Sequence, residues 1–94
     1  MEEASRIANA LVGERLVACA NFGVIASVYR WAGHIEQDTE VSIVCKTTTE
    51  RVPDVIKRVK ELHSYELPCM TSWRLDCGYG PYLDWVKKET EKGL

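Results

Sequence analysis

No run of apolar residues in this sequence approaches the ~18 that a membrane-spanning helix needs, and no Cys-x-x-Cys pair occurs in it. The first absence predicts a chain with no membrane partner. The second removes the common zinc templates: Cys19, Cys45, Cys69 and Cys77 are spaced 26, 24 and 8 residues apart, which fits none of them. In a reducing compartment these cysteines stay thiols, and most of them read as small core hydrophobes. An excess of charge is also missing. The net charge of −2 gives no electrostatic reason to expect nucleic acid. The basic runs Lys57-Arg58-Val59-Lys60 and Lys87-Lys88 each abut a glutamate, the pattern of a solvated helix face. The opening MEEASRIANAL is acidic and helical in pattern and does not read as a secretory signal, so a cytoplasmic location is expected. There is no G-x-S-x-G motif and no identifiable pair of carboxylates, so a hydrolase or redox enzyme ranks below a binding protein. An RNA-binding sheet would set exposed aromatics in basic surroundings, and the charge balance is wrong for that. Repeats, linkers and low-complexity segments are absent, and 94 residues predict one domain over 1–94. Domains of this size bury a modest core and often gain stability by associating.

Hydrophobic periodicity supplies the elements. Ala4, Ile7, Ala8, Leu11 and Val12 recur at helical spacing and predict a helix over 2–16, with Gly13 a weak spot inside it. Residues 17–22 and 24–31 read as strand, with Gly23 permitting a bend or bulge between them. A polar turn is expected over 33–39. Residues 40–47 alternate, with Val41, Ile43 and Cys45 on one face and Ser42, Val44 and Lys46 on the other. The threonines 47–49 offer an N-cap for a helix reaching Leu62, whose stripe is Val52, Val55, Ile56, Val59 and Leu62. Pro53 is tolerable near its first turn. A strand is expected over 67–75, a loop over 77–80, and a last helix from Pro81 with Tyr82, Val86 and Glu89 recurring. The order of helix, long hairpin, helix, strand and helix predicts an α/β fold with an antiparallel sheet and helices on one face.

The stretch ELHSYELPCM sets His63, Tyr65, Glu66 and Cys69 close together where a helix ends and a strand begins. A thiolate with an imidazole would suit copper or zinc. The alternative is a histidine at a helix C-terminus, where cations are favoured, a packed tyrosine, a solvated glutamate and an interior cysteine. Strand alternation argues against all four converging. Lys46 could bind an anion, pair with Glu66 or remain a surface lysine. Cys45 reads as core, Cys77 as an exposed and oxidisable loop thiol, Tyr82 and Trp85 as core, and His34 as solvated.

Five stretches together resemble the CutA family, the small trimeric proteins linked to divalent-cation tolerance. They are LVGERLVACAN, SVYRWAGHIEQDTEV, CKTTTERV, HSYELP and GYGPYLDWVKKET, which run in the family's order over roughly residues 5 to 90. The resemblance implies a ferredoxin-like fold in a homotrimer similar in architecture to the PII signal proteins. In it, the hairpin carrying Tyr29, Trp31 and Ile35 reaches a neighbouring subunit. A two-stranded ribbon in so small a chain has no means of burying these side chains itself, and Tyr and Trp are enriched at interface centres.

Three departures from the family pattern stand out. The family's first strand, expected before the first helix as a central strand of the sheet, is absent from this chain. A truncated or alternative start would account for that, as would a partner strand in the gap. Ser64 replaces the usual proline, and Cys69 stands where a glutamate is common. The expected function is that of a non-enzymatic homotrimer linked to divalent metal ion, chiefly copper, binding and tolerance. The alternative is a PII-like regulatory or scaffold trimer that binds a small anionic ligand. The expected cleft comprises Lys46, His63, Tyr65 and Glu66. The expected metal ligands are Cys19, which aligns with the family's recurrent cysteine, and His63. Copper or another divalent metal is an optional rather than a required cofactor.

Overall fold

The computed structural model describes residues 1–64 and 69–92. Helix α1 spans Glu2–Gly13, strand β1 Cys19–Trp31, strand β2 His34–Lys46, helix α2 Val52–Leu62 (entered by a 3-10 turn, Thr49–Arg51) and helix α3 Gly80–Glu89.

In α1, Glu2 and Glu3 stand in the first turn, where the helix dipole favours negative charge. Ala4, Ile7, Ala8 and Leu11 form the buried stripe, while Val12 is exposed, against the sequence expectation. The helix stops at Gly13, earlier than its periodicity suggested. Arg15 takes a left-handed φ of 62°. The Leu16 N–H then bonds the Leu11 carbonyl at 3.0 Å and the Arg15 N–H bonds that of Val12 at 3.0 Å. This closure satisfies carbonyls that a helix end leaves open, and it brings Leu16 against Leu11 in the core.

The hairpin is longer and more regular than expected. β1 and β2 pair without interruption from Cys19↔Lys46 to Trp31↔His34, so Gly23 makes no bulge and pairs with Ser42. The polar stretch 33–39 is strand from His34 onwards, and the turn is confined to Ala32 and Gly33, with φ of 50° and 83°. Two consecutive positive φ values match the twist of a two-residue hairpin, and they explain why glycine sits there. Polar alternation in a solvent-facing ribbon resembles a turn in sequence. Cross-strand hydrogen bonding decides for strand.

The core lies only at the base of this ribbon. Ile7, Leu11, Leu16 and Val17 form it, with Ile43 and Cys45 of β2 and Val55, Val59 and Leu62 of α2 packed against them. Each large side chain so buried contributes about 1.5–3 kcal/mol by transfer from water. Arg51 ties the elements together at this end. Its guanidinium donates to the Thr90 carbonyl at 2.9 Å, the Arg15 carbonyl at 3.3 Å and Asp54 at 3.2 Å. The threonines before α2 do not cap it: Thr48, at the cap of the 3-10 turn, makes no side-chain cap bond, and the Thr47 hydroxyl donates to the Leu16 carbonyl at 2.7 Å.

Of the expected strand over 67–75, residues 67 and 68 lie outside the described residues, and 69–75 carry no regular secondary structure. A strand needs a hydrogen-bonding neighbour, and among the described residues β1 and β2 pair only with each other. Cys69 is exposed rather than interior, and Cys77 is exposed as expected. Tyr82 and Trp85 are exposed on α3 rather than core, whereas Val86 is buried.

The far ends of α1 and α2 meet through Glu3. Its carboxylate accepts from the Ser64 hydroxyl at 2.7 Å and the Ser64 N–H at 3.2 Å, with His63 Nδ1 at 3.7 Å. The Ser64 bonds, helped by the charges of His63 and Arg6, hold the carboxyl below its ordinary 4.5. The folded chain therefore binds this proton more weakly than the unfolded chain does. The contribution is present above the unfolded pKa and is lost as pH falls through the folded value. Urea midpoints at fixed protein concentration should show Glu3→Gln less stable than the parent at neutral pH. In acid below 4.5 that gap should close. A gap equally wide in acid would show that the carboxylate is not its source.

Candidate functional site at the hairpin base

Directly paired residues of an antiparallel ladder project to the same side, so Cys19, Asn21, Val44 and Lys46 share one face and Ala20, Phe22, Ile43 and Cys45 the other. Helices α1 and α2 cover the second face at this end. The first face is open, and its polar side chains meet there. The Lys46 ammonium donates to the Asn21 side-chain oxygen. The Cys19 sulfur lies 3.8 Å from that same oxygen and 4.0 Å from the Tyr82 hydroxyl. α3 brings Tyr82 to this point, with the Trp85 ring beside it at a centroid distance of 5.7 Å and a tilt of 31°.

Electrostatics separates the two thiols at this end of the sheet. Burial pushes the Cys45 thiol up, the nearby Cys19 adds to this and Lys46 opposes it, so Cys45 stays a protonated core thiol. Cys19 is half-buried on the open face, within reach of a ligand. The Tyr82 phenol is pushed up as well, by burial first and then by the Cys19 contact, so at neutral pH it is a hydroxyl donor.

The structure brings some expected site residues together and separates others. Lys46 and Cys19 are neighbours. His63 caps the C-terminus of α2 beside Glu3, at the N-terminal end of α1. Cys19 follows the other end of α1, a helix of 12 residues and so about 18 Å long. A metal-ligand bond is only about 2.0–2.3 Å, so Cys19 and His63 do not share an ion within one chain. Among the described residues no three His, Cys, Asp or Glu side chains are grouped to hold a metal. Tyr65 and Glu66, the other two expected cleft residues, lie outside the described residues.

At the far end of the ribbon, Trp31 is 58% exposed, Ile35 67% and Tyr29 39%. Trp31 and Tyr29 project to one side and Ile35 to the other, so each face of the tip carries exposed apolar side chains.

Sequence reasoning missed Asn21 and Tyr82 as members of the site. Asn21 was findable as the neighbour of Cys19 on one face. Tyr82 was not, because only the docking of α3 brings it there.

Residues 1–89 match the family model of the CutA1 divalent ion tolerance protein. The divalent-cation tolerance protein CutA of Thermus thermophilus is 42% identical over 95% of this chain and 87% of its own length. Among solved structures, the periplasmic divalent cation tolerance protein CutA of Archaeoglobus fulgidus superposes with a TM-score of 0.94 at 38% identity, covering 97% of this chain and 89% of that one. A PII-like protein CutA from a Nostoc species, in apo form, superposes with a TM-score of 0.90 at 37% identity, covering 96% and 88%.

Proposed function

The chain belongs to the CutA1 divalent ion tolerance family, and on that premise we propose that it works as a non-enzymatic homotrimer that binds a divalent metal ion, copper first, in support of metal tolerance. What supports this reading is the family match over residues 1–89, and the position of Cys19 and His63 at opposite ends of α1 sets what a metal site would require. A thiolate and an imidazole are the ligands that suit copper, and in one chain they stand apart. Association lets the ligand set of one subunit be completed by a neighbour, and the ribbon's uncovered Trp31, Tyr29 and Ile35 supply a reason to associate. Copper is then an optional ligand taken at a subunit boundary, and no catalytic step is assigned to it.

No helix among the described residues is long and apolar enough to cross a membrane. A cytoplasmic location remains part of the proposal, while the Archaeoglobus fulgidus relative is a periplasmic protein.

Native mass spectrometry of the purified chain, with and without one equivalent of Cu(II), tests the reading. The expected result is a trimer that takes up copper, with uptake at least ten-fold weaker in Cys19→Ser, as expected for loss of a soft ligand. A trimer that ignores copper, or a Cys19→Ser variant that binds it equally, would overturn the metal assignment. A monomer would overturn the assembly.

A further inference from the structure

At the base of the hairpin the open face gathers hydrogen-bond donors and no carboxylate. Lys46 has no acidic partner among the described residues. It spends one ammonium proton on the Asn21 side-chain oxygen, which leaves two of its three donors. Because that oxygen accepts from Lys46 and faces the Cys19 sulfur, the Asn21 amide nitrogen points the other way. Its two protons have no partner among the described residues. The Tyr82 hydroxyl, 4.0 Å from Cys19, completes the group.

The charge of this set is positive, and its one good acceptor is already occupied. Within one chain this face offers a metal ion a single soft donor, the Cys19 sulfur, so a copper site here needs the ligands of a neighbouring subunit. An oxyanion would meet one full countercharge and neutral donors, in charge-assisted hydrogen bonds roughly twice as strong as neutral ones. Trp85, beside Tyr82 and 42% exposed, adds an apolar wall for the carbon skeleton of a ligand.

We propose that the Cys19–Asn21–Lys46–Tyr82 face binds the oxyanion group of a small ligand, a carboxylate or a phosphate. Lys46 provides the countercharge, and Asn21 and Tyr82 are the orienting donors. The site shares Cys19 with the metal reading, but the groups that bind the oxyanion, Lys46, Asn21 and Tyr82, are not copper ligands in that reading.

The test is NMR titration of EDTA-treated, isotope-labelled full-length protein. One arm uses inorganic phosphate and the other acetate, with ionic strength matched by sodium chloride. The expected result is a saturable shift of the Asn21 side-chain amide signals in at least one arm, and the responding arm identifies the phosphate or carboxylate source. Lys46→Met should weaken the binding about ten-fold or more, and Tyr82→Phe, which keeps the ring on Trp85, about two- to ten-fold. No saturable shift in either arm, or unchanged affinity in Lys46→Met and Tyr82→Phe, would overturn the proposal. Because no metal is present in the titration, its failure leaves the copper reading standing, and a failed copper experiment does not touch this one.

Discussion

Leu11→Ala is expected to destabilise the chain by about 2–5 kcal/mol, the cost of removing a large buried side chain and leaving a cavity. Leu11 is 1% exposed and sits in the cluster with Ile7, Leu16 and Val17, where α1 meets β2 and α2. Its backbone carbonyl accepts the Leu16 N–H that closes the helix. That bond survives the substitution, but the contact between the Leu11 and Leu16 side chains does not. The effect is large because the core is small. The buried apolar residues are concentrated in α1 and the segment just after it, so little elsewhere compensates, and domains as a rule hold only about 5–15 kcal/mol in total. Urea denaturation at a fixed protein concentration measures the change. A loss below about 1 kcal/mol with an unchanged denaturant slope would mean that this packing is not what holds the fold.

Trp31→Ala is expected to weaken assembly by at least 2 kcal/mol, roughly thirty-fold in the dissociation constant, if Trp31 is an aromatic anchor of the proposed trimer. The ribbon argues for this role on its own. A two-stranded hairpin is marginal in water, yet this one runs 13 residues a side, far past the helices that cover its base. Val24, Val28, Trp31 and Ile35 remain exposed along it. Such a surface gains stability only by being covered, and a second copy of the chain presents the same surface. Sedimentation velocity over a dilution series gives the readout. A trimer that dissociates at the same concentration in parent and variant would remove Trp31 as the anchor, and with it the physical reason given for the assembly.

The elements were legible wherever a period ran without competition. The stripe of Ala4, Ile7, Ala8 and Leu11 fixed α1. The alternation of Val41, Ile43 and Cys45 identified the face that the helices cover. Errors fell where two local rules conflicted. Gly23 permits a bulge, but an unbroken ladder on both sides leaves nothing for a bulge to accommodate. Polar residues 34–39 read as a turn, although Ala32 and Gly33 complete the reversal by themselves. Gly13 read as a weak spot inside a helix over 2–16, but the helix ends on it and the left-handed residue is Arg15, placed there because Leu16 has to return to the core.

The sequence by itself determined the family, the three helices, the existence of the hairpin and the candidate status of Cys19, Lys46 and the hairpin aromatics, because these depend on short-range pattern and on motifs in order. Only the tertiary structure decided which of these residues meet. Pairing Cys19 with Lys46 is a matter of register over 26 residues of ladder. Bringing Tyr82 to Cys19 depends on where α3 docks, across a separation of 63 residues in sequence. Parting Cys19 from His63 follows from α1 lying between them. Each is a long-range spatial relation, set by which buried faces fit together and written in no single stretch of the chain.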